Sequence, residues 1–179
     1  MLELAILGFL SEGPLHGYEL KRRVTQLTGY AKPVSDGTLY PAIKRLDRSG
    51  LLERRSEPGA GPARYVLTIT DAGRDELTAR LRDPQHNDVS DFSRFVVVLT
   101  FLSLVPSVEE QHAVLRRRLH FLEEPASFFY DEDRAVKAED VTDVYRRGLL
   151  LFARKTSRAE RAWLRSVLDA AEDGGRSKP

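Results

Sequence analysis

Ser35–Leu52 reads SDGTLYPAIKRLDRSGLL, and the fold is decided there. On a helix turning about 100° per residue, Leu39, Ile43 and Leu46 fall in one stripe roughly 60° wide. The opposite side takes Gly37, Pro41, Lys44, Arg45 and Arg48, with Tyr40 on one flank and Thr38 on the other. That side carries cations and hydroxyls and no carboxylate. Ser35 or Asp36 can open the helix as N-cap, and Gly50 suits the position just past its end. Pro41 cannot donate to the carbonyl four residues back. Either the regular helix starts near Gly37–Thr38 or it bends mildly at Pro41. A helix lying in a DNA groove needs such a face. Cations neutralise phosphates, while hydroxyls and guanidinium forks reach base edges or phosphate oxygens. Gly37 permits close backbone approach, and exposed N–H groups at a helix start favour phosphate. A solvated amphipathic helix would carry the same pattern, so the neighbouring segments must decide.

Working outward, Leu2–Leu10 is an apolar helix stopped by Ser11-Glu12-Gly13-Pro14. A second helix runs from His16-Gly17 to about Gly29, with Leu20, Val24 and Leu27 as its buried stripe. After Gly50 come two strand-like runs, Leu51–Ser56 and Arg64–Thr70, around a flexible tip at 57–63. A helix over Asp71–Arg82 packs back through Leu77 and Leu81. Helix, turn, helix and a hairpin with a basic arm make a winged helix-turn-helix. Arg64 is favoured as the wing's contact, with Arg54 and Arg55 read as solvated charges at a strand edge. Tyr18 is either a DNA contact or a core-edge aromatic whose hydroxyl satisfies a backbone group.

The second half reads as all-helical. Residues 83–91, DPQHNDVSD, look like a linker. Phe92–Val105 is apolar nearly all round, which implies burial on more than one side. Ser107-Val108-Glu109-Glu110 fits a capping box opening a helix over 108–123, with Val108, Leu115, Leu119 and Leu122 as its stripe. Pro125–Asp133 is expected as a loop. The Phe128-Phe129-Tyr130 cluster there either lines an effector pocket or, the favoured reading, caps a helical core. Arg116–Arg118 spreads over too much of its helix to be one patch and reads as solvated. A long helix over about 138–172 carries an apolar stripe. The expected architecture is mainly α with a small β-hairpin wing. It comprises a winged helix-turn-helix domain over 1–82, the linker, an all-helical dimerisation and candidate effector domain over 92–173, and a disordered tail at 174–179. The dimer interface is assigned to Phe95, Leu99, Leu102, Val141, Tyr145, Leu149, Phe152 and Trp163.

Composition narrows the chemistry. The 179 residues include no Cys, which excludes a disulfide framework, a thiolate zinc site and thiol-based redox sensing. The net charge of +1 divides into +3 up to Arg82 and −2 beyond it, consistent with a nucleic-acid contact confined to one face. There is no P-loop, G-x-S-x-G or dinucleotide fingerprint. His16, His86, His112 and His120 lack metal-site spacing. The expectation is a cytoplasmic protein, not an enzyme, with no metal, cofactor or membrane partner.

The strings LAILGFL (4–10), GPLHGYELKR (13–22), SDGTLYPAIKRLDRSGLL (35–52) and TDAG (70–73) resemble the PadR family of bacterial transcriptional regulators. The resemblance covers residues 1–82, and the helical second half looks like the longer, virulence-regulator-like subgroup. It implies a dimeric, usually repressing regulator bound to a palindromic operator in double-stranded DNA, with a small-molecule effector as a candidate partner. It places Tyr18 at the helix-2 tyrosine, Ser35, Gly37, Thr38, Tyr40 and Pro41 at the start of the recognition helix, and Lys44 at an often basic position. The wing departs from the family. Val66 and Leu67 stand where two adjacent aromatics are frequent, with Tyr65 one place earlier. The competing reading is a winged-helix protein–protein interaction module without sequence-specific DNA binding.

Overall fold

Leu4, Ala5, Ile6, Leu7, Gly8 and Leu10 are all buried, so the first helix, α1 (Leu2–Ser11), is an axis that other elements surround. The computed structural model describes residues 1–29, 33–57, 64–124 and 128–176, with the backbone alone at 57, 64 and 171–176. Residues 58–63 of the expected hairpin tip and the last residues of the tail, 177–179, lie outside the described residues. The described chain is mainly helical with a small antiparallel sheet. It forms two compact units, Met1–Gln111 and His112–Pro179.

In the first unit, α2 (Gly17–Thr28), α3 (Asp36–Arg48) and α4 (Asp71–Arg82) all pack on α1. The expected stripe of α3 is buried, with Leu39 and Ala42 at 0% exposure and Ile43 and Leu46 at 2%. Pro41 sits inside a continuous helix that begins at Asp36. The sheet has the order β1-β3-β2, with β1 Leu15–His16, β2 Leu52–Glu57 and β3 Arg64–Ile69. The two-residue β1 is too short to leave an alternating pattern in the sequence. It forms because β3 has a second edge to satisfy, pairing Leu15 with Leu67 and His16 with Val66.

The root of the hairpin is fixed by Thr70 and Gly73. The Thr70 amide donates to the Leu51 carbonyl (3.2 Å), and its hydroxyl donates to the Gly50 carbonyl (2.6 Å). The same hydroxyl oxygen accepts from the Gly73 amide (3.0 Å), capping α4. A Cβ on Gly73 would lie 2.0 Å from the Leu51 carbonyl oxygen. Gly50, at φ +70°, turns the chain out of α3 in the left-handed region that glycine tolerates. The end of the exposed helix, the hairpin root and the start of α4 are thereby one knot.

Residues 83–91 are not a plain linker. They contain α5 (His86–Ser90), with Val89 buried, and Asp91 caps the helix that follows. That helix, α6 (Phe92–Phe101), packs on α1 and α2. Phe95 and Leu102 are buried within the chain at 1% and 5% exposure, so their apolar surface is already used. The Phe101 ring meets Phe9 edge-on at 5.1 Å and fills the space beside Gly8, where a Cβ would come within 2.5 Å of it. Counted by unit, the first holds 14 Lys+Arg against 15 Asp+Glu, net −1, and the second 14 against 12, net +2. Any basic reading surface therefore comes from the arrangement of side chains on a face, not from a surplus in the unit that bears it.

Helix α7 (Val108–Glu123) spans the division between the units. Ser107 caps it by accepting from the Glu110 amide, while the Glu110 carboxylate pairs with Arg82 and does not close the box. Val108 is half exposed, not part of a buried stripe. In the second unit the expected loop contains a small hairpin, β4 (Tyr130–Asp131) with β5 (Arg134–Ala135). Helix α8 (Val144–Arg176) starts later than its apolar spacing implies, because Asp143 accepts from the Tyr145 and Arg146 amides and so fixes the cap. Val141 therefore precedes the helix, and Gly174–Arg176 of the expected tail continue it. Arg118 is not solvated. At 2% exposure it forks onto both carboxylate oxygens of Glu160 (2.7 and 3.1 Å) and lies over the Phe121 ring.

Two substitutions test this packing. Gly73→Ala would favour an ordinary helix interior, but here it should destabilise by roughly 3 kcal/mol in a denaturant titration, because backbone blocks the methyl. Glu160→Ala should cost about 3 kcal/mol by removing the carboxylate that a buried guanidinium grips, and an unchanged unfolding midpoint would refute that role for the pair.

Candidate nucleic-acid interface

The outward face of α3 is built by its buried seam. With Leu39, Ile43 and Leu46 turned inward, Gly37, Thr38, Tyr40, Pro41, Lys44, Arg45 and Arg48 are all exposed. Ser35 is the N-cap in extended geometry, but its hydroxyl lies 2.9 Å from the Thr38 hydroxyl and makes no cap bond. Its carbonyl accepts from the Thr38 and Leu39 amides. The two hydroxyls thus form a polar pair at the start of the exposed helix.

Tyr18, at the start of α2, is 69% exposed, which excludes a core-edge role for its ring. The ring stacks beside His16 at 5.8 Å. Tyr40 reaches from α3 toward the same place and lies beside Gly17, where a Cβ would make an ordinary contact with its ring at 3.4 Å. The wing supplies a third tyrosine. Strand register puts Arg54 opposite Leu67 and Ser56 opposite Tyr65, so Arg54 and Tyr65 continue the face on which Leu52, Leu67 and Ile69 are buried. Beyond the core that face is exposed. The Arg54 guanidinium lies 5.0 Å above the Tyr65 ring and pairs with Asp47 of α3 at 3.0 Å. Tyr18, Tyr40, Tyr65 and Arg54 line a cleft of about 530 Å³ floored by Ile43 and Leu67.

The cations differ in availability. Among the described residues Lys44 and Arg55 form no ion pair, and Arg48 only donates to the Lys44 carbonyl at 3.3 Å. Arg45 is held by Glu3 at 2.9 Å, and Lys21 bonds Asp36 at 2.8 Å, tying α2 to the start of α3. Glu19, beside Tyr18, accepts from Arg22 and Arg23, and these hydrogen bonds hold its carboxyl below the usual carboxylate range. The carboxylates flanking the face are thus already engaged by cations. What is left outward is phenolic hydroxyl, aliphatic hydroxyl, ammonium and guanidinium, a donor set suited to phosphate oxygens and base edges.

The structure brings Tyr18, Ser35, Gly37, Thr38, Tyr40, Pro41, Lys44, Arg45 and Arg48 to one exposed region of the first unit. Arg64 pairs with Glu57 in the register, and its side chain lies outside the described residues. Sequence reasoning missed Tyr65, Arg54 and Glu3. The alternation Tyr65-Leu67-Ile69 was the available signal for the first. Tyr145, Leu149, Phe152 and Trp163 lie within roughly 60° of one another on α8 and are 85%, 42%, 70% and 44% exposed. Leu150, Leu164 and Leu168 bury the other side of that helix.

Residues 6–79 match the family described as Transcriptional regulator PadR-like family. The transcriptional regulator Rv3488 of Mycobacterium tuberculosis is 38% identical over 77 residues, which are 43% of this chain and 69% of that protein. The negative transcriptional regulator PadR of Bacillus subtilis is 31% identical over 78 residues, 43% of each. Solved structures of Bacillus subtilis PadR are also similar. The complex with operator DNA aligns at 23% identity over 94% of this chain and 97% of that one, with a TM-score of 0.45. The complex with p-coumaric acid aligns at 22% over 96% and 98%, with a TM-score of 0.43.

Proposed function

Because the chain belongs to the PadR-like family of transcriptional regulators, a family of regulators and not of enzymes, we propose that the outward face of α3 reads operator DNA. The observation that carries this reading is the carboxylate-free face of an exposed helix, set beside the Tyr18, Tyr40, Tyr65 and Arg54 cleft. Thr38, Lys44 and Arg48 face the groove. The tyrosine hydroxyls and Arg55 take phosphates and fix the register. The reading domain is residues 1–82, on which α6 packs, and the helical second unit dimerises. Its interface is the exposed α8 stripe of Tyr145, Leu149, Phe152 and Trp163, too much apolar surface to leave in water. A two-fold dimer of this kind meets a palindromic operator with half-sites about one helical turn apart, or a multiple of it.

The regulator acts in the cytoplasm as a repressor, a sign supported by the name of its Bacillus subtilis relative. Among the described residues no helix is long and apolar enough to cross a membrane. Release by a small molecule is part of the proposal, since that relative has been crystallised with p-coumaric acid.

Footprinting on the DNA upstream of the chain's own gene and neighbouring operons should reveal a protected palindrome, with affinity falling steeply as salt rises. Lys44→Ala should weaken operator binding by about 1–3 kcal/mol, with relaxed specificity if it meets a base and uniform weakening if it meets phosphate. Unchanged affinity would remove α3 from the groove. Phe152→Glu should convert the dimer to monomer in sedimentation at micromolar concentration, and a dimer that persists would place the interface elsewhere.

A further inference from the structure

Glu3 stands in the first turn of α1, outside the face just described, yet it touches that face. Its Oε1 accepts from Nε of Arg45 at 2.9 Å. Its Oε2 lies 3.6 Å from Nη1 of Arg80, and Nε of Arg80 donates to Glu76 at 2.6 Å. Carboxylate and guanidinium alternate along Glu76, Arg80, Glu3 and Arg45, and the chain of contacts runs from α4 across α1 to α3.

Three properties of this chain bear on DNA. Arg80, shared with Glu76, offsets part of the Glu3 charge before any nucleic acid arrives, so Glu3 does not confront phosphate as a bare anion. The Arg45 contact uses Nε, and among the described residues no other partner holds its two terminal nitrogens. Those nitrogens form the fork that grips a bidentate acceptor. The Arg45 side chain also remains 54% exposed while Glu3 is 27% exposed, so the anchor is the more sheltered end. An isolated surface pair contributes little to stability. A guanidinium already held in place has less side-chain freedom to lose when it binds.

We propose that Glu3 is a positioning residue for operator recognition: it holds the Arg45 guanidinium by Nε and leaves the terminal nitrogens to take a bidentate acceptor on the operator. The acceptor is a guanine edge or a phosphate, which share this chemistry. The inference rests on the DNA-binding reading of α3.

The test is a double-mutant cycle on operator and unrelated duplexes with the full chain, using Glu3→Ala, Arg45→Ala and the pair, with Glu3→Gln as the conservative variant. Glu3→Ala should weaken operator binding about five- to tenfold, and should have no effect once Arg45 is alanine. Glu3→Gln, which keeps an acceptor for Nε, should fall between parent and alanine. Weakening confined to the operator identifies a guanine edge. Equal weakening on both duplexes by Arg45→Ala, with a salt slope shallower by about one, identifies a phosphate. The proposal is overturned if Glu3→Ala leaves operator binding unchanged or tightens it, or if the loss persists in the Arg45→Ala background. If the parent itself does not prefer operator over unrelated DNA, the DNA reading fails first. If the parent prefers operator and the cycle shows no coupling, only the positioning role fails.

Discussion

The N-terminal unit depends on the burial of α1. A ten-residue helix with six buried positions has almost no surface left for solvent, so its neighbours must cover it from every side. The strip of α3 that does so, Leu39, Ala42, Ile43 and Leu46, is essentially inaccessible. Each of the three larger side chains contributes about 2 kcal/mol by leaving water. Turning α3 about its axis would forfeit that burial. The outward face is therefore not chosen for its own chemistry; it is what remains when the seam is satisfied, and its residues are free to serve a ligand.

The second constraint lies at the root of the hairpin. Thr70 bonds to Gly50 and Leu51 and also caps α4, while Gly73 admits the Leu51 carbonyl where any side chain would exclude it. The string TDAG is thus a packing device. It locks the wing to the end of the exposed helix, so that Arg54 can lie between Asp47 and the Tyr65 ring.

Much of this was legible in the sequence because it rests on periodicity. The α3 seam, both hairpin strands and the capping Ser107 all obey local rules. What escaped depends on contacts between distant segments. β1 exists only because β3 offers an edge. The α6 apolarity signalled burial correctly but not against what. It reads equally as a surface for another chain, and its partner turned out to be α1, with Phe101 beside Gly8. Arg118 looked solvated beside Arg116 and Arg117, since nothing local announces that Glu160, 42 residues on, will meet it. Glu3 was invisible as a functional residue for the same reason, its partner Arg45 lying 42 residues away.

The aromatic residues also divide the molecule optically. Its one tryptophan, Trp163, is half exposed on α8, while Tyr18, Tyr40 and Tyr65 gather at the cleft of the first unit. Excitation at the red edge of the protein band selects the indole alone, so emission reports events along α8. The tyrosine signal arises in part from the cleft itself. Without any label, tryptophan emission isolates the helical stripe, whereas the tyrosine signal mixes the cleft with Tyr145 of that stripe.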